Sequence, residues 1–166
     1  MKIPILLLIL ISLVYQSYGQ EDRPFSTLAF DKVMMYQFNG GQSIDSMYIV
    51  DTQGELSTSI TNKVELTPQE VKDLNAKIEN KKSYGEATMD CFNAHLGFVY
   101  YLKNKIVAHV TISSACKRLH SSIDIPAQKQ GKVSVGTDIY YTATGLSESF
   151  INFINAMIVK YHFTHP

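Results

Sequence analysis

Two cysteines and two histidines stand at matched spacing, as Cys91-x3-His95 and Cys116-x3-His120. Two sulfurs and two imidazoles are the ligand inventory of a Cys2His2 zinc-type site. A cysteine with a nearby histidine is also the minimum for a thiol nucleophile and its base, and two cysteines can be oxidised to a disulfide. Backbone geometry separates these chemistries. In an extended chain, at about 3.3 Å per residue, each histidine lies about 13 Å from its own cysteine, whereas ligands of one ion must approach it to about 2 Å. All four converge only if residues 90–95 form a helical or tight turn, which Asn93 permits. The disulfide Cys91–Cys116 is therefore the first reading. Metal binding through Cys91, His95 and Cys116, with His120 as a further ligand, is the alternative, and a Cys91/His95 nucleophile is the third.

Nothing else in the chain has the spacing of a catalytic motif. There is no Gly-x-Ser-x-Gly elbow, phosphate-binding Gly-rich loop or His-Glu-x-x-His, and Asp90 and Asp124 read as turn and surface residues. His109 falls on the strand face opposite the cysteines, and His162 and His165 fall in a terminus expected to fray. The expectation is a non-catalytic protein that calls for no cofactor. Fifteen basic residues balance fifteen acidic ones, which argues against nucleic acid, since phosphate binding needs a basic excess. The partner is left as an unknown protein or small molecule.

The compartment follows from the first residues. Lys2 precedes an apolar run over residues 3–14, and Ser17 and Gly19 supply small residues before a cut between Gly19 and Gln20. The run is shorter than the roughly 20 apolar residues that span a bilayer. Residues 1–19 thus read as a signal peptide, with no stable membrane anchor after cleavage, and residues 20–166 as one secreted or periplasmic domain. Export places Cys91 and Cys116 where a disulfide persists. Closing a loop of about 25 residues would stabilise the fold by about 3–4 kcal/mol.

The elements that must position these residues are α+β, with an antiparallel sheet carrying a long hairpin and two packed helices. Residues 33–38 are strand formers that run into Asn39-Gly40-Gly41-Gln42, and residues 47–50 read as their hairpin or meander partner. Thr67-Pro68-Gln69-Glu70 is a capping box with proline at the first helical position. It opens a helix expected to run to about Lys81, with Val71, Leu74 and Ile78 on its apolar stripe and lysines, Asp73 and Glu79 on its solvated face. Residues 97–102 and 105–112 flank the turn Lys103-Asn104. In that register Tyr101 faces Ile106, Val99 faces Ala108, Gly97 faces Val110, and Cys91 falls opposite Cys116 on the face of Val99 and Tyr101. A three-residue turn or a bulge would shift the pairing. Phe98, Tyr100, Leu102 and Val107 occupy the other face, which needs a helix or a partner to cover it. Residues 117–126 hold a short strand ending at Pro126, residues 127–131 a loop, and residues 133–142 an edge strand. Phe150, Phe153, Ile154, Met157, Ile158 and Tyr161 recur at helical spacing behind the cap Ser147.

The chain from residue 90 onward resembles a group of uncharacterised secreted proteins of Bacteroidetes-type bacteria. The resemblance rests on Cys91-Phe92-Asn93-Ala94-His95, the hairpin through Tyr100-Tyr101, Cys116, Leu119, Ser121-Ser122, Ile125-Pro126-Ala127 and Gly145-Leu146-Ser147. Those proteins commonly carry proline at the position of Ala94 and a further cysteine at that of Ser113, so a three-thiol site is not shared. The resemblance implies an exported domain and no particular activity.

Overall fold

The computed structural model describes residues 23–41, 44–86, 91–129, 132–135, 138–141 and 144–164. The expected signal peptide with its Gly19/Gln20 cut, as well as Asp90 and His165, lies outside the described residues. In chain order the elements are α1 (Pro24–Thr27), β1 (Lys32–Phe38), α2 (Ile44–Met47), β2 (Ile60–Glu65), α3 (Pro68–Ile78), β3 (Tyr84–Glu86), β4 (Leu96–Leu102), β5 (Lys105–Ser113), β6 (Arg118–Ser121), β7 (Lys132–Val135), β8 (Asp138–Tyr141), β9 (Gly145–Leu146) and α4 (Glu148–Lys160). Five strands form an antiparallel sheet in the order β2-β1-β4-β5-β6. This is the α+β architecture read from the sequence.

The hairpin β4–β5 turns at Lys103 and Asn104, whose φ angles of 51° and 63° match the left-handed pair of a type I′ turn. Tyr101 pairs with Ile106 as expected, but a bulge at Val107 shifts the ladder by one residue. Beyond it Val99 pairs with His109 and Gly97 with Thr111, instead of with Ala108 and Val110. The slip turns Ala108, Val110 and Ile112 to the face of Phe98 and Tyr100, and His109 to the face of Val99. One inserted residue thus sorts the apolar side of β5 from its polar side.

Both faces of the sheet are covered. On one, Val33, Met35, Phe98, Tyr100, Val110 and Ile112 pack under α3 and α4, which contribute Val71, Leu74, Ile78, Phe150, Ile154, Met157 and Ile158. Each side chain of this size contributes about 1.5–3 kcal/mol on full burial. On the other face Tyr36, Phe38, Val99 and Tyr101 pack with Ile49, Val50 and Ala94. Residues 47–50, read as a strand, instead end α2 and cross this second face, leaving only a single bridge between Val50 and Leu56. The reason is local. Gly97 has no side chain, a Cβ there would collide with that of Ile49, and the Ile49 N–H donates to the Thr111 hydroxyl at 3.2 Å. The strand partner of β1 is β2.

The helices keep their sequence signals. At the start of α3 the Thr67 hydroxyl accepts the Glu70 N–H at 3.3 Å, and the Glu70 carboxylate accepts the Thr67 N–H at 2.8 Å. The helix ends at Ile78, short of Lys81, and a 3-10 turn at Lys81–Ser83 follows, capped by Asn80. Ser147 caps α4. The described residues after α4 are held rather than frayed: His162 takes φ 54°, and the N–H groups of His162 and Phe163 return to the carbonyls of Val159 and Ile158 at 3.2 and 3.0 Å. That is a Schellman motif with buried Phe163 as its apolar contact. Residues 133–142 supply both strands of a separate β7–β8 hairpin, in place of a single edge strand.

Candidate functional site

Cys91 and Cys116 form a disulfide with a Cα separation of 5.7 Å. Neither lies in a strand. The β4–β5 ladder ends where Leu96 meets Ile112. Before it, residues 91–95 run beside the end of β5 as an irregular extension in which the Ser113 hydroxyl accepts the Asn93 N–H (3.1 Å) and donates to the Asn93 carbonyl (2.7 Å). The turn at residues 114–117, with Lys117 at φ 51°, brings Cys116 to Cys91. The turn and the irregular extension absorb the bulge, so the cysteines meet although the register that first suggested their meeting is off by one. Cys116 is buried, Cys91 is exposed, and the Arg118 guanidinium donates to the Cys91 carbonyl at 3.3 Å.

The matched spacing does not assemble a four-ligand site. Both thiols are consumed by the bridge, which also removes the thiolate that a Cys91/His95 nucleophile requires. His95 lies against the helix side of the sheet, in a narrow crevice with Gln37, Ile158, Phe163 and Thr164. Its Nε2 is buried without a hydrogen-bond partner among the described residues, and burial lowers its pKa. His120 is on the opposite side, stacked on Tyr48 with ring centroids 4.2 Å apart. Among the described residues no group of three or more His, Cys, Asp or Glu side chains gathers to hold a metal. His109 is partly buried beside Val99, and burial together with the charge of a protonated His120 pushes its pKa down to about 4.

A second feature escaped the sequence reading. Between α1, the start of β1 and the first half of α3 opens a cleft of about 490 Å3, lined by Phe30, Val33, Leu66, Pro68, Val71 and Asn75, with Ser26, Asp31, Glu65 and Lys72 also lining it. Behind it lies a wall of buried hydrogen bonds that reaches the cleft through Asn75 and Ser26. The Tyr100 hydroxyl donates to Asn75 Oδ1 at 2.7 Å, and Asn75 Nδ2 donates to the Phe25 carbonyl at 3.2 Å. Glu79, expected on the solvated face of α3, is 7% exposed. Its carboxylate accepts the Phe25 and Ser26 N–H groups, each at 2.7 Å, and the Ser26 hydroxyl. It is buried because it satisfies the free amides that open α1, and so it ties the lead-in segment to α3. Burial, reinforced by Glu79, holds the Tyr100 phenol well above its ordinary pKa, so it remains a donor. The signal for this wall was an asparagine and a glutamate near an apolar stripe, four residues apart, which sequence alone cannot distinguish from surface.

No family model, no curated protein and no solved structure matches the chain.

Proposed function

We propose that the protein is an exported, non-catalytic domain that binds a small amphiphilic molecule in the cleft between α1 and α3. The cleft carries the reading. At about 490 Å3 it falls inside the roughly 300–1,000 Å3 typical of small-molecule sites, and its lining combines the apolar Phe30, Val33, Leu66, Pro68 and Val71 with polar and charged groups that include Lys32 and Lys72. Val33, Leu66 and Val71 would take the apolar body, and Lys72 offers a cation to an anionic head. Export is supported by the apolar run after Lys2, the small residues Ser17 and Gly19, the resemblance to exported proteins, and the disulfide, which persists in oxidising compartments. No helix among the described residues is long and apolar enough to cross a membrane.

Binding is tested with 8-anilinonaphthalene-1-sulfonate and laurate as probes. Saturable 1:1 binding is expected, weakened about tenfold or more by Val71→Phe, since about 1.4 kcal/mol of lost contact is a factor of ten. Lys72→Glu, an exposed change that leaves folding intact, should weaken both anionic probes. Binding that is absent, or indifferent to both substitutions, would refute the cleft as the site. Export is tested by the intact mass of protein recovered outside the cytoplasm, expected to begin at Gln20.

A further inference from the structure

The sheet face turned away from α3 and α4 carries two imidazoles side by side. His109 of β5 and His120 of β6 stand on adjacent antiparallel strands. Thr111 lies directly opposite His120, which puts His109 one diagonal step away on the same face. Their ring centroids are 6.5 Å apart and their planes 31° from parallel. The His120 ring and the His109 backbone are held. Tyr48 stacks on His120, and Phe92 stands 5.6 Å from Tyr48. The backbone of His109 is pinned from both sides by Ser122, whose Oγ accepts the His109 N–H at 2.8 Å and whose N–H donates to the His109 carbonyl at 3.0 Å. The Nδ1 of His109 is enclosed and has no hydrogen-bond partner among the described residues. An enclosed nitrogen without a partner is an unusual feature that calls for an explanation.

We propose that His109 and His120 form an open two-imidazole site for Cu(II). Two nitrogen–metal bonds of about 2.0–2.1 Å hold imidazole centres about 4.5 Å apart when the nitrogens are at right angles about the ion and about 6.5 Å apart when they are trans, so the observed 6.5 Å fits a trans pair. His120 is exposed, which gives the ion a path in, and solvent completes the coordination. The choice of metal follows from the ligand count. Closed zinc sites take four protein ligands, and this face supplies two. With so few ligands the affinity must come from the ion, and copper stands at the top of the divalent series and is well suited to imidazole. The site lies across the sheet from the α1–α3 cleft and does not depend on it. It shares only His120 with the Cys91/His95/Cys116/His120 set and uses no sulfur.

The test titrates the oxidised mature chain with Cu(II) buffered by excess glycine and reads electron paramagnetic resonance. One copper per chain is expected, with hyperfine coupling to two imidazole nitrogens. His120→Ala changes an exposed residue on the edge strand and so keeps the fold. It should reduce the coupling to one nitrogen and weaken binding by at least the roughly tenfold that loss of even an outer-shell partner costs. His109→Ala should do the same, with its circular dichroism compared to wild type. The proposal is overturned if glycine strips the copper completely, or if the variant carrying both His109→Ala and His120→Ala keeps the wild-type spectrum, which would assign the ion to the C-terminal histidines. Preferential retention of Zn(II) over Cu(II) would overturn the choice of metal.

Discussion

At the residue scale the two cysteines and the Tyr100–Asn75–Glu79 chain carry the plainest consequences. Reducing the Cys91–Cys116 bridge, or replacing either cysteine with serine, is expected to destabilise the fold by about 3 kcal/mol and lower the melting temperature by roughly 10 °C. Scanning calorimetry with and without reductant measures this, and equal melting temperatures would mean that the Asn93–Ser113 contacts alone hold that corner. Glu79→Ala leaves the Phe25 and Ser26 amides without their acceptor and is expected to cost about 2–3 kcal/mol; urea unfolding reads it. The sequence made the first of these residues visible and hid the second. A cysteine pair in a chain with a signal peptide points to a disulfide whatever the register. A glutamate after a helix looks like surface until one knows that α1, far away in the chain, ends its free amides there.

At the scale of elements, local signals were legible and long-range ones were not. The capping box at Thr67, the cap at Ser147, the two apolar stripes and the turn at Lys103-Asn104 are all written within a few residues, and each element formed where its signal stood. β2 was missed because four of its six residues are exposed and its sequence, Ile-Thr-Asn-Lys-Val-Glu, has little apolar alternation; pairing with β1 alone makes it a strand. The end of α4 offers a direct test. His162 occupies a left-handed position that costs a non-glycine residue about 1–2 kcal/mol, so His162→Gly should raise stability by about 1 kcal/mol in chemical denaturation. No gain would mean that the imidazole makes a compensating contact. The α3–α4 pair also sets an acid limit. Burial would raise the Glu70 pKa, but Lys160 and Tyr161 of the other helix, together with Thr67, donate to its carboxylate and bring it from the usual 4.5 down to about 2. A carboxyl that is more acidic when folded stabilises above its unfolded pKa and loses that contribution as protons bind. Stability should therefore fall between about pH 4.5 and pH 2 through this group. Glu70→Gln should flatten that part of the profile in melts across the acid range, and an unchanged slope would place the acid sensitivity elsewhere.

For the whole molecule, the decisive fact is that the sheet is buried on both sides by different means, two helices on one and the crossing segment around Ile49 on the other. Patterning showed that both faces of the hairpin are apolar, but no local rule says that residues 47–50 would leave the strand state to cover one of them; the hole at Gly97 and the hydroxyl of Thr111 decide it. Ile49→Ala should cost about 2–4 kcal/mol, the penalty of a true core cavity, and a loss under about 0.5 kcal/mol in urea titration would mean that the segment lies loosely on the sheet. The same arrangement determines what the sheet can do with its rims. The outer strand β2 presents exposed Thr61, Asn62 and Lys63, and the other outer strand, β6, is four residues long and flanked by β9, whose Leu146 N–H donates to the Lys117 carbonyl at 2.8 Å. Short, charged or covered rims discourage a foreign strand from adding itself. Two molecules meeting by chance therefore find no ready template on these two rims of the five-stranded sheet, and concentrated solutions of the folded protein should resist fibril formation through them.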